Sequence, residues 1–223
     1  MSGATFLTTY NALFLLRALI ATLALSFIGA VTGLAAGFPL SLLRRTRHRA
    51  ARPFRLAALL YVGLFRRVPF LVTLFVVFFV SQALDANLPL FVVALASVAL
   101  IATAYLSEII RAGLDSVPAT QREAAAVMNF SSWQSLRHVV LPQAWRVILP
   151  PAFSYFLLFI KDSALASQIG VVELTYAGKV LNDRGFPATL VFGTILLLYF
   201  AASYPLTRFG AWLEKRLAPS RHH

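Results

Sequence analysis

The chain has 223 residues, of which 59% are hydrophobic and only 13% charged, with 20 Lys+Arg against 8 Asp+Glu. Soluble domains carry roughly 25% charged residues, so neither one nor two such domains fit. The absence of cysteine excludes disulfide frameworks and thiolate chemistry, and the four scattered histidines have no chelating spacing. Nineteen phenylalanines and long Leu/Val/Ala runs exclude disorder, which leaves an integral membrane protein.

A crossing helix needs about 20 apolar residues. Ala18–Leu43 is an uncharged run that stops at Arg44-Arg45-Thr46-Arg47-His48-Arg49. Leu56–Leu84 is a second, interrupted by Arg66-Arg67, and Ala86–Ser107 a third. Val139–Ile160 is a fourth and Phe186–Thr207 a fifth, which predicts a single all-α domain over 1–223 with five crossings. Met1–Leu16 lacks the positive start of a secretory signal, so the first run reads as a retained helix.

Arginines set the expected orientation. The 44–55 loop holds six Arg and no acid, which predicts a cytoplasmic position. The N-terminus then lies outside, loop 108–146 inside, loop 161–185 outside and the Glu214-Lys215-Arg216 tail inside. The net charge of +12 falls in these short clusters between apolar runs, not on a solvated face. That distribution argues against nucleic-acid binding.

Loop 108–146 carries the most information. Thr120 and Glu123 have capping-box spacing ahead of Ala124-Ala125-Ala126, and Ser131 and Gln134 repeat it. Pro142 disfavours helix at Leu141. The expectation is two short helices joined at Asn129, which tolerates a left-handed turn. Trp133 and Phe130 fit either headgroup anchoring or a protein contact.

Five ionisable side chains fall within or at the ends of apolar runs: Arg66, Arg67, Glu108, Lys161 and Asp162. Each costs about 2.5–3.5 kcal/mol to place at membrane depth. They either pair with each other across helices or face a path through the membrane.

Glu123-Ala124-Ala125, Asn129 and Leu141-Pro142 resemble the EAA loop of ABC importer permeases. Tyr105-Leu106-Ser107-Glu108-Ile109-Ile110-Arg111-Ala112-Gly113 is similar to the "AYxxEIxRgxI" segment of the polar amino-acid group, which carries histidine, glutamine, glutamate and opines. Thr22–Ser26, Arg66…Pro69, Leu141–Ala144 and Lys161–Leu165 fall where that group has "TLxLS", "RgtP", "LPQA" and "KdTSL". The likeness covers roughly residues 20–210. The chain departs from the pattern at Thr120 and Asn129, which replace glycines, at the extra Arg67, and at Ser163-Ala164.

The resemblance implies a type I importer permease fold, with five transmembrane helices and a cytoplasmic coupling helix. It assigns ATPase coupling to Thr120, Gln121, Glu123, Ala124, Ala125, Asn129, Leu141 and Pro142. The substrate path falls to Arg66, Arg67, Tyr105, Glu108, Lys161, Asp162 and Ser163, where cation and carboxylate suit an amino acid. Implied partners are a cytoplasmic ABC ATPase dimer, a second permease subunit (identical or paralogous), a periplasmic solute-binding protein and membrane lipid. No cofactor is expected on this chain, which has no GxxxxGK[ST] to cradle phosphates. ATP and Mg would be used by the partner, and the chain itself would not be an enzyme. An ion-gradient secondary transporter or channel subunit is the alternative, although residues 15–110 and 110–210 do not form the related halves such folds often have.

Overall fold

A computed structural model describes residues 6, 8–46 and 48–217, which hold helices and turns and no strand. Helix α1 runs Thr9–Arg45, α2 Arg52–Phe65, α3 Phe70–Ala83 and α4 Leu90–Asp115. Helices α5 (Ala119–Val127) and α6 (Ser132–Ser135) follow, then α7 (Leu141–Asp162), α8 (Leu174–Asp183) and α9 (Ala188–Leu217). Four helical stretches are long and apolar enough to cross a membrane: Thr9–Arg45, Leu90–Asp115, Ser132–Ile169 and Ala188–Leu217. The fifth is a pair, α2 and α3, bent by 115°. The single run expected over Leu56–Leu84 is therefore two helices meeting at an elbow. Pro69 lacks an N–H and forces Val68 out of the helical region, so the chain must restart at Phe70.

Helix α1 starts well before the apolar run does. Thr8 accepts a bond from the Asn11 amide and caps it, which brings Arg17 inside the helix. At the other end of the α3–α4 turn, Asp85 takes a φ of 49° and the Ala86 amide reaches back to the Ser81 carbonyl. This is the closing pattern of a helix that ends in a left-handed residue.

The centre of the bundle is the α1–α4 contact. Gly29, Gly33 and Gly37 lie one turn apart and face Val98, Ala102 and Ser107 in rising order, so the two helices run parallel. A Cβ on Gly33 would come within 2.3 Å of the Ala102 Cβ. Small residues let the backbones approach, and in lipid that contact supplies the association that water would otherwise drive. Helix α7 runs antiparallel to α4, with Gly113 against Ile148 and the Tyr105 ring tilted against that of Tyr155. Helix α9 lies along α7 through Phe153 and Gly210. The start of α1 and the end of α9 therefore sit at opposite ends of the bundle.

Several buried hydroxyls are satisfied within their own helices: Ser26 bonds the Thr22 carbonyl and Ser97 the Val93 carbonyl. Such back-bonding keeps polar atoms paired where no water is available. The outer surface is apolar, with Phe27, Leu60, Phe79, Leu196 and Phe200 exposed.

Candidate functional site: a projecting helix and a charge cluster

Helix α5 stands on a compact apolar base of Ile110, Leu114, Val117, Val140, Ala144 and Ile148. Pro118 provides its N-cap with extended backbone and no side-chain bond, and Thr120 lies inside the helix. The capping box expected between Thr120 and Glu123 is not formed. Proline starts the helix two residues before the expected cap, which places Thr120 inside the first turn. Glu123 consequently projects freely, as do Thr120 and Ala124, while Gln121 is exposed beside α7 and Ala125 is buried against the protein.

Asn129 adopts φ 57°, and the Asn129 and Phe130 amides bond the Ala126 and Ala125 carbonyls. This is the left-handed closure expected there. The second box is present: the Ser131 amide donates to Gln134 Oε1 at 2.8 Å and the Gln134 amide to Ser131 Oγ at 3.3 Å. The helix that Ser131 caps does not stop before Pro142, contrary to expectation. Leu136–Val140 forms a π-turn in which the Leu141 amide reaches the Leu136 carbonyl. The wide turn makes room for the ring of Pro142, so the helix continues through Leu141 into α7. Gln143 donates to the Val139 carbonyl at 2.9 Å and approaches Gln121 Oε1 at 3.5 Å, which ties α5 to α7.

Val127 (84% exposed), Met128 (68%) and Trp133 (60%) make the tip of this projection apolar. Trp133 was singled out from the sequence as an anchor or a contact residue. Val127 and Met128 were not, because two apolar residues ending a helix look like the edge of a core. The projection carries no nucleophile–base pair, and the described residues contain no cluster of His, Asp and Glu able to hold a metal. Its geometry suits docking.

Beneath it lies the charge cluster. Glu108 on α4 pairs with Arg44 of α1 at 2.7 Å and with Arg111 one turn along its own helix, and Arg66 of the elbow lies 3.9 Å away. Arg111 and Arg45 both hold Asp115, at 2.8 and 3.2 Å. The Tyr105 hydroxyl donates to the Arg66 carbonyl at 3.1 Å, and the Arg66 guanidinium stands 5.8 Å from its ring. Arg66, Tyr105 and Glu108 are thus brought together. Arg67 turns away and donates to the Gly63 carbonyl.

Lys161, Asp162 and Ser163 form a separate group, about 9 Å along α7 from Tyr155 at the helical rise. Ser163 is buried and donates to the Ile160 carbonyl. Lys161 borders a cleft of about 520 Å³ shared with Tyr199, Ser203, Tyr204 and Thr207. Neither Lys161 nor Asp162 has an ion-pair partner among the described residues.

One polar centre escaped the sequence altogether. Glu173 is fully buried and caps α8, accepting from the Thr175 and Tyr176 amides and from the Tyr199 hydroxyl at 2.9 Å. Thr22 of α1 accepts from the Leu174 amide beside it. Burial pushes the Glu173 carboxyl up, and its three donors pull it back. A lone acid in an otherwise apolar stretch was the available signal.

Comparison with known proteins places the chain. Residues 37–219 match the family described as binding-protein-dependent transport system inner membrane component. The chain is 34% identical to the probable amino-acid ABC transporter permease protein YckA of Bacillus subtilis (strain 168), over 88% of this chain and 86% of that one. It is equally identical to the L-cystine transport system permease protein TcyB of the same organism, over 88% and 83%. A crystal structure of an amino acid ABC transporter with histidines superposes with a TM-score of 0.84 at 28% identity, covering 92% and 94% of the two chains. A projecting helix over a closely packed five-span bundle, with a matching sequence across most of its length, identifies the chain as a member of the binding-protein-dependent transport system inner membrane components.

Proposed function

We propose that the chain forms the membrane path of an ATP-driven importer for an amino acid and couples that path to a separate ATPase. The observation that carries this reading is helix α5. It is a short helix whose Glu123 and Ala124 point away from the bundle while Ala125 and Gln121 fasten it to the π-turn and α7. A small exposed side chain at Ala124 lets a partner's groove close on the helix. The relatives named above for amino-acid and cystine transport support the solute class, and nothing among them favours an ion-gradient carrier.

In this reading a cytoplasmic ATPase dimer binds α5 and uses ATP and Mg. A second permease, identical or paralogous, completes the path, and a solute-binding protein delivers the ligand on the far side. Arginines at 44–55 put the α5 end of the bundle in the cytoplasm and the start of α1 outside. The residues we assign to coupling are Thr120, Gln121, Glu123, Ala124, Ala125, Asn129, Leu141 and Pro142. Of the substrate path, Arg66, Lys161 and Asp162 offer groups for a carboxylate and an ammonium, while Ser163 is buried with its hydroxyl on the Ile160 carbonyl. Tyr105 and Glu108 position Arg66, and Arg67 lies at the margin.

The test is co-purification from the native host. An ATPase accompanies the wild-type chain and is lost with Glu123→Lys and Ala124→Asp. Arrival of the chain alone, with solute movement in liposomes independent of ATP, overturns the proposal.

A further inference from the structure

We infer that the end of the bundle where α1 finishes binds an anionic phospholipid, its phosphate among arginines and an acyl chain along α2. The charge there does not balance. Arg44, Arg45, Arg66 and Arg111 meet only Glu108 and Asp115. Arg49, Arg52 and Arg55 add further charge, and no acidic residue precedes Asp85 in the whole chain.

The surplus is aimed at a place. The Arg44 side chain is only 9% exposed, and its buried Nε meets no acceptor among the described residues. An orphaned donor is unusual in a buried position. Its NH1 approaches Glu108 at 2.7 Å without hydrogen-bond alignment. Arg55 NH1 reaches the Thr46 carbonyl at 3.4 Å, which brings a second guanidinium to the last turn of α1. A phosphodiester, which accepts several charge-assisted bonds at once, satisfies such a group.

The adjoining helix favours a lipid over a soluble anion. Both ends of α2 return to the same end of α1, Arg55 on Thr46 and Arg66 beside the Glu108 that holds Arg44. The elbow of 115° sets α2 across the line of α3. Leu56, Leu60 and Leu64, one turn apart, form an exposed row along it, with exposed Arg52 and Arg67 at its two ends. An apolar row bracketed by cations matches a headgroup with its chain, and basic pockets between membrane helices take such headgroups. This inference rests on the membrane placement of the chain and not on the docking role of α5.

Native mass spectrometry of the delipidated full-length chain, titrated with phosphatidylglycerol, phosphatidylcholine or inorganic phosphate, tests it. Phosphatidylglycerol is expected to bind at least about tenfold more tightly than phosphatidylcholine, since each arginine near the surface contributes a substantial share of the attraction. The triple variant Arg49→Gln, Arg52→Gln, Arg55→Gln breaks no ion pair and is expected to lose about tenfold in that affinity. Arg44→Gln is expected to lose at least as much. Equal binding of the two lipids overturns the inference, as does a triple variant that binds like wild type. Displacement of the lipid by an equal concentration of inorganic phosphate overturns it too, in favour of a free-anion site.

Discussion

Glu108 and Arg44 lie 2.7 Å apart and join α4 to the last turn of α1, with side-chain exposures of 20% and 9%. Removing one partner of a pair this protected leaves the other charge stranded, at a cost of about 3 kcal/mol or more. Glu108→Leu is therefore expected to lower the thermal midpoint of the purified chain markedly. Arg44→Met together with Glu108→Leu recovers part of the loss, because Arg44 is no longer stranded and Arg111 keeps Asp115, while the more exposed Arg66 loses its acid. A double variant as unstable as the single would show that the pair is not the relevant contact.

The glycine row gives a prediction of opposite signs. Gly33→Val drives a side chain into Ala102 and is expected to prevent assembly of the bundle, seen as loss of monodisperse protein in size-exclusion chromatography. Gly193 in α9 has no atom within 4 Å of a built Cβ. Gly193→Ala is expected to stabilise by about 0.5–1 kcal/mol, since it removes only the flexibility of glycine in a helix.

Because Thr120 and Glu123 form no box, Glu123 contributes little to the fold. Glu123→Ala is expected to change stability by less than about 0.5 kcal/mol. If the docking role holds, the same substitution reduces ATP-dependent uptake in proteoliposomes. A large fall in melting temperature would restore the capping reading.

Glu173 is expected to make stability depend on pH. Its carboxyl is raised in the fold by burial, so the folded chain holds the proton to higher pH than the unfolded one. The stability this contributes is complete below the ordinary carboxylate range and is lost as pH rises through the raised value. Glu173→Gln keeps only one of the two acceptor oxygens but, being uncharged at every pH, flattens that slope in a melting series across the acidic range. Glu173→Leu leaves three donors unpaired and is expected to cost about 2–3 kcal/mol or more at any pH.

How much of this could be read beforehand depended on whether a signal was local. The apolar runs gave the helices, and Ser131–Gln134 and Asn129 gave a cap and a turn, because each is decided within four residues. Arg66-Arg67 marked an interruption of the second run, and Pro69 was the further local signal of a break. The angle across it was not legible, since it depends on what Tyr105 and Glu108 of α4 hold in place. Thr120–Glu123 failed because a cap spacing says nothing about competition from Pro118. The Glu173 centre showed in the sequence only as a lone acid, because Thr22, Glu173 and Tyr199 meet only after three helices have packed.

The close approach of α1 and α4 also decides where motion can occur. With Gly29, Gly33 and Gly37 against Val98, Ala102 and Ser107, neither helix can slide along the other without driving side chains into backbone. The pair is a fixed keel. Any opening and closing of the molecule falls to the elbow at Arg66–Pro69 and to the α7–α9 side, where aromatic rings such as Phe153 and Phe209 can re-pack.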